Sequence, residues 1–237
     1  MNSYSLFPLG DSAITLDLGP FIDEHHNIRV LEIQRWLEAH RFPGLQDIII
    51  AYSSVSVFYD PAVMRAARVT GGRTAAEWVE GLLMRGWEET AGAPPSATDG
   101  HSFRIPVCYE GGYAPDLEEV ARERGLSKKE VIELHCTGIY RVFMIGFLPG
   151  FPYLGPVAER LEIPRKTRPV SVIAGGVGIA GRQTGIYPLN SPGGWWIIGR
   201  TPVKLFDPSR DPPVRLQTGD KVEFYPISHE EFQRLIE

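Results

Sequence analysis

The sequence predicts an α+β protein in two parts. A small α/β sandwich-like domain of order ββαββα occupies residues 1–92, and a β-barrel or sandwich occupies 101–237. Three observations carry this expectation. Before residue 91, stretches of helical spacing interleave with stretches of strand alternation, the pattern of helices laid on one face of an antiparallel sheet. Residues 91–100 read AGAPPSATDG, small, polar and proline-containing without any period, which is linker composition. Beyond it, Gly, Pro and large aromatics punctuate the chain so often that only short strands joined by turns fit.

In the first part, Ser3–Pro8 and Ala13–Leu18 are expected as strands joined around the turn pair Gly10-Asp11. Ile28, Leu31, Trp36 and Leu37 keep helical spacing, so a helix is expected from Asn27 to His40, closed by Pro43-Gly44. Ile48–Tyr52 and Val55–Tyr59 follow as strands, the second alternating Val55, Val57 and Tyr59. Thr74 with Glu77 three residues on forms a capping box, and Trp78, Val79, Leu82 and Leu83 make the buried stripe of the helix it opens. Residues 61–73 give no clear pattern.

In the second part, Phe103–Cys108 is expected as a strand. Pro115–Gly125 is expected as a helix with Asp116, Glu118 and Glu119 in its first turn, where the dipole favours acids. Ser127 and Glu130 form a second capping box, for a helix ending near Cys136. Val170–Ala174, Trp195–Gly199, Thr201–Phe206 and Lys221–Tyr225 are the clearest later strands, with Pro202 marking a strand start or edge. The turn Gln217–Asp220 leads into the last of them, and Ser228 with Glu231 caps a final helix over His229–Ile236.

Bulk composition excludes several functions. The net charge of −5 over 237 residues lacks the basic excess of a nucleic-acid binder. Cys108 and Cys136 have no metal-type spacing and suggest no disulfide framework, so a reducing cytoplasm is expected and no metal. The start, MNSYSLFPLGDSAITLDLG, has neither the basic end nor the apolar run of a signal peptide. The longest apolar stretch, 142–158, is broken by Pro149, Pro152 and Pro156, which no membrane helix of about 20 apolar residues tolerates so densely. No membrane association is expected, although part of the stretch is expected as an exposed partner surface.

The chemistry concentrates between His135 and Asp207. Gly176–Gly181 matches G-x-G-x-x-G, but Pro188 leaves no room for the helix a dinucleotide site needs, and Gly199, Arg200 and Thr201 stand where an acid is required. Two readings of the glycines remain, a tight β connection or a cradle of backbone N–H groups for an anion, centred on Gly175 and Gly178. There is no ordinary phosphate loop and no nucleophile elbow. The run GFLPGFPYLG suggests a pocket wall from Phe147, Pro149 and Phe151, with the Tyr153 hydroxyl as a polar handle. Arg165, Lys166 and Arg168 cluster after it, and Arg168 is the candidate carboxylate clamp. Gln183, Thr184 and Tyr187 are candidates to orient an amide or carboxylate. Ser191, in Asn190-Ser191-Pro192-Gly193, is turn chemistry first and a nucleophile a distant second, and it is a candidate substrate contact. His135, at a helix C-terminus, is a candidate with Tyr153 for proton transfer, helix capping being the alternative. Trp195 and Trp196 are adjacent, so on a strand one faces in and one out, and the outward one is the candidate interface or pocket residue.

The runs FPLGDSAITLDLG, HCTGIYRVFMIGFLPGFPYLG, AGGVGIAGRQTGIYP, SPGGWWIIGRTP and LFDP resemble a family that groups the B subunits of bacterial 5-oxoprolinase, Kip-type histidine-kinase inhibitors and the first subunit of allophanate hydrolase. The resemblance covers nearly the whole chain. It implies a cyclophilin-like β-barrel in the C-terminal half. It also implies two 5-oxoprolinase partners, the C subunit, which is similar to the second subunit of allophanate hydrolase, and the A subunit. The activity it implies is that of an ATP-dependent amidohydrolase that opens 5-oxoproline to L-glutamate, with ATP shared with or held by the partners. The alternatives it implies are inhibition of a sensor histidine kinase and a carboxyltransferase role of the urea carboxylase kind.

Overall fold

The structure, a computed structural model, describes residues 4–91 and 100–236. The chain separates into two compact units, Met1–Thr98 and Asp99–Glu237. The linker expected at 91–100 lies almost entirely outside the described residues.

The first unit runs β1 (Ser5–Pro8), β2 (Ala13–Asp17), α1 (Glu24–Ala39), β3 (Leu45–Ile50), β4 (Ser54–Tyr59), α2 (Pro61–Ala66) and α3 (Ala75–Glu89). Its sheet has the order β1-β2-β4-β3, antiparallel at every pair. The alternation in β4 does what its period requires: Val55, Val57 and Tyr59 are buried, and they meet Ile33 and Leu37 of α1 and Val79 and Leu83 of α3. Helix α1 starts three residues before the expected Asn27, because Asp23 caps it by accepting from the His26 N–H at 3.0 Å. The unread stretch holds α2, started by the Asp60 carboxylate, which accepts from the N–H groups of Ala62 and Val63, and by Pro61 at its first position. The Thr74–Glu77 capping box forms as expected.

The second unit runs β5 (Ser102–Cys108), α4 (Leu117–Arg124), α5 (Lys128–Cys136), β6 (Ile139–Ile145), β7 (Pro152–Gly155), β8 (Val170–Val172), β9 (Gly176–Ala180), β10 (Gln183–Ile186), β11 (Ser191–Gly193), β12 (Trp196–Arg200), β13 (Lys221–Ile227) and α6 (His229–Ile236). Among the described residues, seven strands close into a barrel, β10-β7-β6-β13-β5-β12-β9, in which only β13 and β5 run parallel. β8 and β11 form a separate antiparallel ribbon. The inside is filled by Val107, Val142, Leu154, Val177, Ile179, Ile186, Ile198 and Val222, all fully buried.

Two expectations are corrected here. Thr201–Phe206 is not a strand. Pro202 has no N–H to give, and the Thr201 hydroxyl accepts from the Val203 N–H, which turns the chain away from a ladder. Asp116 is not one of the first-turn acids of α4; it is the residue just before the helix, and its carboxylate makes no capping bond.

The parallel pair is closed by one buried carboxylate. Asp220 accepts from the His101 N–H at 2.9 Å, at the entrance to β5, and from the Gln217 N–H at 2.8 Å, in the turn before β13. Replacing it leaves both amides without their charged acceptor. Asp220→Ala should lower the unfolding free energy by about 2–3 kcal/mol, and Asp220→Asn by less. Urea unfolding measures this, and a loss under about 0.5 kcal/mol, the scatter of ordinary surface changes, would contradict it.

Candidate functional site

Beside the barrel lies a cavity of about 300 Å³. Its walls come from the loop between β6 and β7 (Phe147, Phe151), Tyr153 of β7, the segment before β8 (Arg165, Lys166, Thr167, Pro169), Tyr187 after β10, and the stretch from Pro192 to Trp195. The aromatic rings meet edge to face. Phe151 stands 5.0 Å from Tyr187 at 81° and 5.5 Å from Trp195 at 90°, and Tyr153 is 5.8 Å from Trp195. Such crossings place a positive ring edge on a negative ring face and hold each ring rigidly.

Missing side chains let these rings meet. A Cβ on Gly193 would land on the Tyr187 hydroxyl, and one on Gly185 would lie 2.8 Å from the Pro152 carbonyl and 3.0 Å from both Phe151 and Trp195. At the mouth, Phe147 is 61% exposed and adopts φ +68°. A bulky residue in the left-handed region costs on the order of 1–3 kcal/mol and is found where a site demands it.

Burial raises the pKa values of both phenols, and the Arg165 guanidinium opposes the rise at each. At neutral pH both are protonated hydrogen-bond donors. The backbone of Trp195 also bonds the Tyr187 oxygen, which leaves that hydroxyl's proton for another acceptor. Lys166 is committed, its ammonium 2.7 Å from the Asp116 carboxylate. Arg165 makes no ion pair or hydrogen bond among the described residues; its guanidinium lies 5.9 Å from the Trp195 ring. The cavity is thus an apolar, ring-walled space with two neutral donors and one uncompensated cation.

Of the residues singled out from sequence, the fold gathers Phe147, Phe151, Tyr153 and Tyr187 at this cavity. Pro149 is exposed on the loop and off the wall. Arg168 is exposed and lies between two lining residues without lining it. Gln183 and Ser191 are half-exposed on β10 and β11, away from the wall. The cradle reading of the glycines is corrected: Gly176–Ala180 is β9, with partners on both edges, and the Gly175 N–H donates to the Tyr187 carbonyl. Gly178 stands opposite both Gly185 and Ile197 in the ladder, so no row of amides is left for an anion. The tight β connection is what forms.

His135 is also relocated. It is fully buried among barrel side chains, its ring stacked on Phe224 at 4.6 Å. Thr184 donates to the Gly178 carbonyl, so its oxygen accepts from His135 Nε2–H at 2.9 Å, and His135 Nδ1 accepts from the Tyr109 hydroxyl at 2.7 Å. His135 and Thr184 are therefore partners in a core network, and neither reaches the cavity.

Trp195, Gly193 and Arg165 are the site residues that sequence reasoning left unassigned or passed over. The expectation that the outward tryptophan lines the pocket is corrected: the buried Trp195 lines the cavity, while the half-buried Trp196 turns its Nε1–H to the Pro164 carbonyl at 2.7 Å. Nothing local separates Arg165 from Arg168. Among the described residues, no three His, Cys, Asp or Glu converge as a metal site would require.

Gly193→Ala should displace the Tyr187 ring and lower stability by about 1–3 kcal/mol, the usual cost of overpacking. Thermal unfolding reads this, and an unchanged transition would contradict the close approach. Desolvation lowers the pKa of His135 to about 3. The unfolded chain takes up this proton near pH 6.5, so its contribution is complete above that and shrinks as pH falls toward 3, by up to about 1.4 kcal/mol per unit. Urea midpoints between pH 4 and 7 should fall less steeply in His135→Gln than in the parent; equal slopes would refute a neutral buried imidazole.

Residues 4–216 match the family described as carboxyltransferase domain, subdomain C and D. The chain is 42% identical over 230 residues to the B subunit of 5-oxoprolinase from Bacillus subtilis, covering 97% of this chain and 95% of that one. It superposes on the crystal structure of TTHA0988 with a TM-score of 0.75 and 37% identity, over 91% of this chain; it spans 40% of the length of that one. The urea amidolyase of Kluyveromyces lactis, 19% identical with a TM-score of 0.77, shares the fold, and this chain covers 15% of it. The chain therefore belongs to the carboxyltransferase C/D family, in the branch of proteins named as the B subunit of 5-oxoprolinase.

Proposed function

We propose that the chain is the B subunit of a 5-oxoprolinase assembly, in which it joins the A and C subunits, that the assembly opens 5-oxoproline to glutamate at the expense of ATP, and that the ring-walled cavity takes the lactam. The observation that carries the reading is the cavity itself. Its volume, about 300 Å³, is at the small end for ligand sites and suits a single small ring. Its apolar faces suit the ring carbons, and its two protonated phenols suit the carbonyl oxygen. In the reaction, water adds to the lactam carbonyl, the ring C–N bond breaks and the nitrogen takes a proton. Negative charge gathers on the carbonyl oxygen, where preorganised donors such as Tyr153 and Tyr187 lower the barrier most.

The same residues do not fit a triphosphate. One uncompensated guanidinium faces the cavity, and the amides of the glycine-rich stretch are bound in the barrel ladder. Among the described residues, the walls also carry no carboxylate, imidazole or thiol to serve as a base. Both facts support placing ATP and proton removal with the partner chains, in a cytoplasmic hetero-oligomer. The relation to TTHA0988, in which this unit corresponds to less than half of a chain, supports a fold that works joined to more protein.

The test is to co-express the chain with the proteins encoded beside it and to measure ATP-dependent glutamate formation from 5-oxoproline. Activity should require this chain, and Phe151→Ala should lower kcat/KM by about tenfold or more, as expected for a lost wall residue worth about 1.4 kcal/mol or more. A complex at full rate without the chain would refute the reading. The family description favours a second reading, the carboxyltransferase half of an enzyme acting on urea or a small amide. Incorporation of labelled bicarbonate into such an amide, with no glutamate formed, would put it in first place.

A further inference from the structure

We propose that Arg165 is the carboxylate anchor of the cavity and determines its specificity, and that Asp116, which lies off the cavity wall, is a positioning residue that holds Arg165 in place through Lys166. The inference rests on the cavity being the ligand site and names the ligand class, a small flat ring bearing one carboxylate.

The segment carrying Arg165 is fixed on both sides of it. Before it, the Pro164 carbonyl accepts from Trp196 Nε1–H at 2.7 Å; after it, the Lys166 N–H donates to the Gly194 carbonyl at 2.8 Å. The Lys166 ammonium then reaches across to Asp116 Oδ2 at 2.7 Å, where both side chains are only 14% and 13% exposed. The same oxygen accepts from the Ile197 N–H at 2.6 Å, so one carboxylate clamps the segment to the start of β12. Breaking a shielded ion pair of this kind is costly, because losing one partner leaves the other charge uncompensated.

The result is selective. Two cations stand side by side in sequence, and the Asp116 carboxylate is taken by Lys166. Arg165 is left over the Trp195 ring, near enough to both Tyr153 and Tyr187 to act on their charge, with no acid of its own among the described residues. A guanidinium is a planar fork that bonds a carboxylate through two parallel N–H groups, and the indole face of Trp195, 5.9 Å away, attracts the cation to that side of the cavity. A ligand whose carboxylate meets this fork lays its ring among Phe151, Tyr187 and Trp195. Arg168 has no comparable anchor among the described residues.

The test compares 5-oxoproline with 2-pyrrolidinone, the same lactam without the carboxylate, by calorimetric titration of the full chain and of the co-purified complex. The parent should prefer 5-oxoproline. Arg165→Gln should weaken its binding by about tenfold to a hundredfold and leave 2-pyrrolidinone unchanged, and Arg165→Lys should recover part of the loss. Asp116→Asn should weaken 5-oxoproline alone; a merely structural role would weaken both ligands together. The proposal is overturned if Arg165→Gln binds 5-oxoproline as the parent does, if Arg168→Gln shows the loss instead, if both variants weaken both ligands equally, or if neither ligand binds. Failure of the two readings is distinguishable. Arg165-dependent discrimination in a complex that forms no glutamate sinks the 5-oxoprolinase reading alone. Normal turnover with an unchanged KM in Arg165→Gln sinks the anchor alone.

Discussion

The candidate site depends on a steric constraint: two positions beside the cavity cannot carry a side chain. Gly193 lies against the Tyr187 hydroxyl and Gly185 against Phe151, Trp195 and the Pro152 carbonyl. With hydrogen in place of Cβ at both, three rings from distant parts of the sequence meet at right angles and stay apart enough to leave a hollow. Rings in a close-packed interior normally fill their own space. Here the backbone stands where side chains would otherwise be, and the rings are held by their edges. Because Phe151 touches both Tyr187 and Trp195, displacing it disturbs the whole wall.

Electrostatics then sorts the charged groups around that wall. Asp116 compensates the charge of Lys166 on the wall by pairing with it, and burial raises the pKa values of both phenols, which stay protonated. What remains is the exposed guanidinium of Arg165 beside two neutral phenols at the mouth of the cavity. The imidazole that might have served as a base is withdrawn into the barrel, neutral and bonded on both nitrogens. On the proposed reading the cavity holds a small anion and stabilises charge, and among the described residues its wall carries no carboxylate, imidazole or thiol.

How much of this could be read from residues alone differs by kind of signal. Capping boxes at Thr74, Ser127 and Ser228 marked three helix starts correctly, because their chemistry is local and complete within four residues. The alternation in β4 was legible for the same reason. The strand β9 was not, since a run of glycines, Val, Ile and Ala has no period of its own and becomes a strand only when β10 and β12 flank it. The wall residues Phe147, Phe151, Tyr153 and Tyr187 stood out by composition. The choice between Arg165 and Arg168 did not, because it depends on which of them the Asp116–Lys166 pair and Trp195 hold, and those partners are 50 and 30 residues away in sequence.

His135 shows the same limit in reverse. A histidine at a helix C-terminus next to an aromatic run looked like a site residue, and the dipole argument would raise its pKa. Burial overrides the dipole: with its ring against Phe224 and both nitrogens satisfied by neutral partners, nothing stabilises the charged form, and the pKa moves down to about 3. The local rule and the tertiary environment point in opposite directions, and the environment wins because desolvating a full charge costs far more than a helix end returns. For a chain whose chemistry depends on which charges are left unpaired, partner counting in three dimensions decides what motif spacing leaves open. By that count Arg165, and not the histidine, is the group still looking for a ligand.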